Sequence, residues 1–269
     1  MRQLATVLIM MLSVLSPTSW AQRTTLTVAS TTSTANSGLM EHLLPLAEDA
    51  LDLDIRLVAV GTGRALKLME LGDVDAVLVH DMVGELASLG AGFAQSRRPV
   101  MQNQFIIVGP SDDDLLNGVN TGREALQLLA DTAGPRFISR GDDSGTHRAE
   151  LRLWQQTLSG RPANDPRWYK ESGQGMGATI RIAVGLKAYT LTDIGTWGSH
   201  GLRDQLAVKI MDDPEMANPY GYLVTNAARH PHVQAVAAER FGDWLRSPAG
   251  QAVIQSFRVD QMTLFQPIF

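Results

Sequence analysis

The chain has 269 residues, 44% of them hydrophobic, enough for one or two ordinary globular cores. Its 23 Lys and Arg are outnumbered by 28 Asp and Glu, a formal net charge of −5 that excludes a basic surface made to track a phosphate backbone or an anionic membrane. With no Cys there is no disulfide, no thiolate metal site, no Cys nucleophile and no lipid attached through an N-terminal Cys.

The first segment reads as an export signal. Arg2 supplies the positive start, Leu4 to Leu15 form the apolar run, and Ser19-Trp20-Ala21 offers a small-x-small cleavage site before Gln22. The run is shorter than the about 20 apolar residues a bilayer span requires, so residues 1–21 are expected to be removed, leaving an unanchored periplasmic protein. From Thr24 short β-branched runs alternate with amphipathic stretches: strand Leu26 to Ala29, helix Leu39 to Leu51; strand Ile55 to Val60, helix Ala65 to Leu71; strand Ala76 to Val79, helix Val83 to Leu89. This alternation predicts an α/β fold with a mainly parallel sheet, helices on both faces, and a ligand beyond the carboxyl ends of the strands. A strand from Gln104 to Val108 runs into Gly109-Pro110 and an acidic turn, after which a helix (Arg123 to Ala130) and a strand (Arg136 to Ser139) resume the pattern. Helices follow over Arg148 to Leu158 and Ile180 to Leu186. Asn218-Pro219-Tyr220-Gly221 then leads to a strand Tyr222 to Thr225 and helices Val233 to Leu245 and Gln251 to Phe257. The expected organisation is a discontinuous first lobe, 22–108 and 219–269, around a second lobe, 109–218.

Four polar segments fall where strands end and helices begin. Ser30-Thr31-Thr32-Ser33-Thr34 places five hydroxyls at a helix start, beside free backbone N–H groups and the positive end of a helix dipole, a setting for an anion. Helix capping accounts for one or two of the five. Val60-Gly61-Thr62-Gly63 repeats the arrangement, and Leu66 in the third glycine position excludes a dinucleotide fingerprint. Ser139-Arg140-Gly141-Asp142-Asp143-Ser144-Gly145-Thr146-His147 joins an Arg fork, a tight turn and two hydroxyls. The fork suits two oxygens of an oxyanion, while an Arg140 salt bridge to Asp142 or Asp143 is the alternative and is compatible with that role. His147 reads as a surface or capping residue. Gly173 to Thr179 and Tyr189 to Asp193 fit either a ligand-closing or a packing role.

Enzyme signatures fail on spacing. Gly141-Asp142-Asp143-Ser144-Gly145 sets Ser144 one place late for a nucleophile elbow, there is no phosphate-binding loop of the Gly-x-x-x-x-Gly-Lys type, and the six His residues show no metal-ligand spacing. Site chemistry alone therefore reaches a tetrahedral oxyanion, bound without cofactor or metal cation. A sulfate or phosphate binder, an exported hydrolase using Ser144 with His147, and a sensory or scaffold domain remain as alternatives.

Together, Thr31-Thr32-Ser33, Val60 to Gly63, Ser139 to His147, Gly173 to Thr179, Tyr189 to Asp193 and Asn218 to Gly221, in that order, resemble the periplasmic tungstate-binding proteins of tungstate ABC importers (TupA-type). The resemblance implies a two-lobed type II periplasmic binding protein, a monomer, that holds tungstate or molybdate in the cleft between its lobes. It would deliver the ion to a permease with a cytoplasmic ATPase. It also implies oxyanion contacts from Thr31, Thr32, Ser33, Thr62, Arg140, Ser144, Gly145 and Thr146.

Overall fold

The computed structural model describes residues 23–132, 136–163, 165, 167–199 and 204–268, and the expected signal segment 1–21 lies outside them. Strand β1 (Thr24–Thr31) lies between β2 (Leu53–Val60) and β3 (Ala76–Val79), parallel to both. Alternation of side chains along these strands builds two cores, one on each face. Leu26, Val28, Ala76 and Leu78 pack with Leu39, Leu43 and Ala47 of α2 (Leu39–Leu51). Ala29, Val77 and Val79 pack with Ala65 and Met69 of α3 (Thr62–Leu71). The registers pair Thr31 with Val60 and Ser30 with Leu78, so the three carboxyl ends lie side by side. Helix α4 (Met82–Gly90) follows β3.

Strand β4 (Ala94–Pro110) joins the two halves of the molecule. From Ala94 to Gln104 it pairs antiparallel with β9 (Ala217–Thr225), which in turn pairs with β3. From Phe105 it pairs instead with β7 (Thr190–Asp193) and with β8 (Leu206–Ile210). The sequence predicted only Gln104 to Val108 because the preceding stretch carries Arg97, Arg98 and Pro99. Tertiary partners absorb all three: Arg97 pairs with Glu85 at 2.7 Å, Arg98 pairs with Glu239, and Pro99 sits at a register shift where a missing N–H is tolerated.

The second half is built from α5 (Gly122–Thr132), β5 (Phe137–Ser139), α6 (Gly145–Gln155), β6 (Tyr169–Glu171), α7 (Met176–Leu186) and α8 (Ile194–Ser199). β5 and β6 are parallel, and β5 bonds to the chain entering β7 through Ile138 N to Tyr189 O at 2.8 Å. Its core is aromatic: Phe137 stacks on Tyr169 at 5.9 Å and meets Trp154 edge-on at 5.8 Å, each pair worth about 0.5–1.5 kcal/mol beyond area burial. The chain returns through β9 to α9 (Ala235–Arg246) and α10 (Pro248–Ser256), whose Phe241, Leu245 and Ile254 complete the first core. Among the described residues no helix is long and apolar enough to cross a membrane.

Candidate functional site

The carboxyl edge of β1, β2 and β3 supplies one wall. Thr31 caps the short helix α1 (Thr32–Asn36): its Oγ1 accepts from Thr34 N at 3.2 Å and lies 2.9 Å from Ser33 Oγ and 2.6 Å from Thr34 Oγ1. Ser30 donates to Leu78 O at 2.7 Å and ties β1 to β3. The run of five hydroxyls thus divides: Ser30 serves the sheet, Thr31 and Thr34 serve the cap, Ser33 shares its hydroxyl with Thr31, and Thr32 is exposed. Thr62 opens α3 after the extended Gly61 and is buried. His80 and Asp81, which the sequence reading passed over, follow β3 at the same edge and are also buried. A polar pair directly after an apolar strand, in the position Thr31 and Gly61-Thr62 occupy after theirs, was the available signal.

The opposite wall begins at Arg140, after β5. Its carbonyl accepts from Gly173 N at 2.8 Å and from Ser172 Oγ at 3.2 Å, so the glycine-rich segment before α7 buttresses the Arg backbone. Nη2 forms an ion pair with Asp142, while Nε is buried with no partner among the described residues. Gly141 and Asp143 both have left-handed backbone, with φ of 60° and 56°. A Cβ on Gly141 would lie 2.6 Å from that of Glu171, so this turn requires glycine. Asp142 Oδ1 accepts from Ser144 N at 3.2 Å, and Ser144 caps α6 by accepting from His147 N at 3.2 Å. Gly145 and Thr146, in the first turn, are buried. His147 is buried, with its Nδ1 accepting from Asp143 N at 3.0 Å, the capping alternative of the two expected. Burial lowers its pKa. Because Ser144 Oγ meets the backbone of His147 and the ring meets Asp143, the nucleophile–base pair of a hydrolase is not assembled.

The two walls meet at the start of α6. A Cβ built on Gly145 would lie 3.1 Å from His80 Cε1 and 3.4 Å from Thr62 Oγ1. Next to this contact Arg148 Nη1 reaches Asp81 Oδ2 at 2.5 Å, while its Nε and Nη2 hold Asp143 at 3.0 and 2.8 Å. Behind His80 a chain of amides runs into the crossing strands. His80 Nδ1 donates to Asn218 Oδ1 at 3.0 Å, Asn218 Nδ2 to Asn103 Oδ1 at 2.7 Å, and Asn103 Nδ2 to Tyr220 Oη at 3.4 Å. Burial drives the His80 pKa down, against the pull of Asp193 and Asp81 and with the help of Arg140, so the imidazole is neutral. Thr62 and Gly145 are therefore adjacent, Thr31 and Ser33 share the edge of Thr62, and Arg140 lies within electrostatic range of His80. No hydrogen bond joins the α1 hydroxyls to Arg140 or α6 among the described residues. Tyr189 to Asp193 is a packing element: Thr190 donates to Ile138 O at 2.7 Å, and Asp193 caps α8 through Thr196 N at 2.8 Å.

What this arrangement presents is a set of N–H and O–H donors at helix starts, one guanidinium with an unspent donor, and no base poised on a nucleophile. That is equipment for holding an anion. The chain matches the PBP superfamily domain over residues 16–249. It is 35% identical over 232 residues to the tungstate-binding protein TupA of Peptoclostridium acidaminophilum, covering 86% of this chain and 80% of that one. With the TupA of Campylobacter jejuni it shares 36% over 240 residues, 87% of each. The solved structure of TupA from Desulfovibrio alaskensis superposes with a TM-score of 0.81 at 38% identity, over 91% of this chain and 98% of that one. Relatives of this kind bind rather than catalyse, in keeping with a site built of donors. The chain belongs to the PBP superfamily and, within it, to the tungstate-binding TupA proteins.

Proposed function

We propose that this protein is the periplasmic solute-binding component of an ABC importer and that it captures tungstate, with molybdate as the near-isosteric second ligand. The observation that carries the reading is the meeting of Thr62 and Gly145 across the two walls, together with an Arg140 Nε that is buried without a partner among the described residues. A tetrahedral dianion entering this cleft loses its water hydrogen bonds and receives fixed ones from Thr31, Thr32, Ser33, Thr62, Arg140, Ser144 and Thr146, with the Gly145 N–H at the positive end of α6. Asp142 holds the guanidinium from behind and leaves Nε for the anion.

Contacts from both lobes make closure the better-bound state, and β4, the strand running through both halves, forms the hinge with β9 beside it. The lobes in this reading are 22–108 with 219–269, and 109–218, with β4 changing partners after Gln104. A closed monomer is what the membrane permease and its ATPase would read. Export by cleavage of residues 1–21 brings the protein to the periplasm.

The test is isothermal titration calorimetry of the chain from Gln22 with tungstate, molybdate, sulfate and phosphate at physiological salt. Tight one-to-one binding of tungstate, with sulfate and phosphate silent, supports the reading. Silence toward all four refutes it.

A further inference from the structure

His80 has no part in the oxyanion shell described above, yet it stands against Gly145 where the two walls meet. The residue is 5% exposed, and its ring has its centroid 4.8 Å from that of Tyr220 and is tied through Nδ1 to Asn218. Asn218 and Asn103 are directly paired residues of β9 and β4, next to the point where β4 changes partners. Asn218 Nδ2 donates to Asn103, so its Oδ1 faces His80 as an acceptor and fixes the proton on Nδ1. The ring therefore cannot turn or retreat without leaving a buried acceptor unpaired. Against this fixed edge stands Gly145, whose position admits a side chain by backbone angle but not by space: a Cβ there would come within 3.1 Å of Cε1 and 3.3 Å of Nδ1.

We propose that His80 is a positioning residue, the rigid stop against which the start of α6 closes, and that the glycine at 145 lets the lobes reach it. The width of the oxyanion cleft, and with it the discrimination among tetrahedral anions of different size, is set by this contact. Tertiary packing transmits the hinge to the stop, since the amide chain places His80, Asn218 and Asn103 in one rigid unit. This inference rests on the oxyanion reading above.

A double-mutant cycle tests it, read by calorimetry with tungstate, molybdate and sulfate. Gly145→Ala in the otherwise unchanged chain should hold the lobes a few tenths of an ångström apart, lowering tungstate affinity by about tenfold or more and shifting the tungstate-to-sulfate ratio. The ligand-free melting temperature should not move. In a His80→Ala background, where the opposing ring is gone, the same Gly145→Ala change should cost less than about threefold. His80→Asn serves as a second background, since its amide nitrogen can keep the bond to Asn218 while Cε1 is removed. It too should reduce the cost. Equal costs in all three backgrounds, or no cost in the first, overturn the proposal while leaving the oxyanion reading intact if the unsubstituted protein binds. An unsubstituted protein silent toward all three anions overturns both.

Discussion

Replacing Arg140 by Ala is the sharpest perturbation of the proposed site. The side chain is 10% exposed, and its removal has two effects. The anion loses the guanidinium donor at Nε, and Asp142 loses the ion-pair partner that now neutralises it beside the cleft. Truncating one member of a largely buried charge pair costs about 2–5 kcal/mol, so a loss near 3 kcal/mol, or roughly 150-fold in Kd for tungstate, is expected. The backbone should stay in place, because the Arg140 carbonyl is held by Gly173 N and Ser172 Oγ independently of the side chain. Adding Asp142→Asn should recover part of the loss by removing the stranded carboxylate. Arg140→Lys should fall between, keeping the charge without the fork. Competition calorimetry on the three variants, with melting temperatures as a folding control, gives the answer. Affinity within about threefold of the unsubstituted protein for Arg140→Ala would place the anion elsewhere and refute the assignment.

Three further outcomes follow from the same structure. Glu150 is buried among Trp154 Nε1 and Tyr169 Oη, and burial raises its pKa to about 7. The folded state keeps a proton the unfolded chain releases near pH 4.5, so this contribution to stability is full below that pH and is lost as pH rises through 7. Glu150→Gln should flatten the melting temperature between those values and raise it by a few degrees at pH 8, and an unchanged profile counts against the buried neutral acid. A Cβ on Gly221 would fall 2.0 Å from Glu85 Oε2, in a buried acid held by Arg97 and by Asp81 N. Gly221→Ala should therefore cost about 3 kcal/mol and lower the melting temperature by roughly 6–12 °C, whereas a change under 2 °C would contradict the packing. Arg148→Ala removes the link between α6 and Asp81, and with Arg148 one-third exposed it should weaken tungstate binding by only about fivefold. Calorimetry that finds no loss would mean the pair does not contribute to closure.

Much of the site was legible in the chain because its parts are local. Strand Ala76 to Val79 and helix Leu39 to Leu51 appear in the structure with the bounds read from periodicity. The polar segments at Thr31, Thr62 and Ser144 fall at helix starts because a capping hydroxyl or an extended glycine is a near-neighbour signal. The Arg140 turn was equally readable, down to the Asp142 salt bridge weighed beside an anion role. What failed to show was partner-dependent. Periodicity did not extend the strand back over Ala94 to Asn103, where Glu85 and Glu239 lie opposite the arginines. Tyr189 to Asp193 could as well have closed over a ligand, since nothing nearby revealed that Thr190 would donate to Ile138 O and that the Asp193 carboxylate would accept from Thr196 of α8.

By itself, then, the sequence determined the α/β alternation, the donor-rich segments and the family, all of which depend on spacing within a few residues or on order along the chain. The tertiary structure alone decided that the Ser30 hydroxyl is spent on β3, that Ser144 and His147 do not form a catalytic pair, and that His80 stands against Gly145 where the two walls meet. These are contacts between residues tens of positions apart. Their existence depends on sheet register and on a strand that changes partners midway, and no local propensity encodes either.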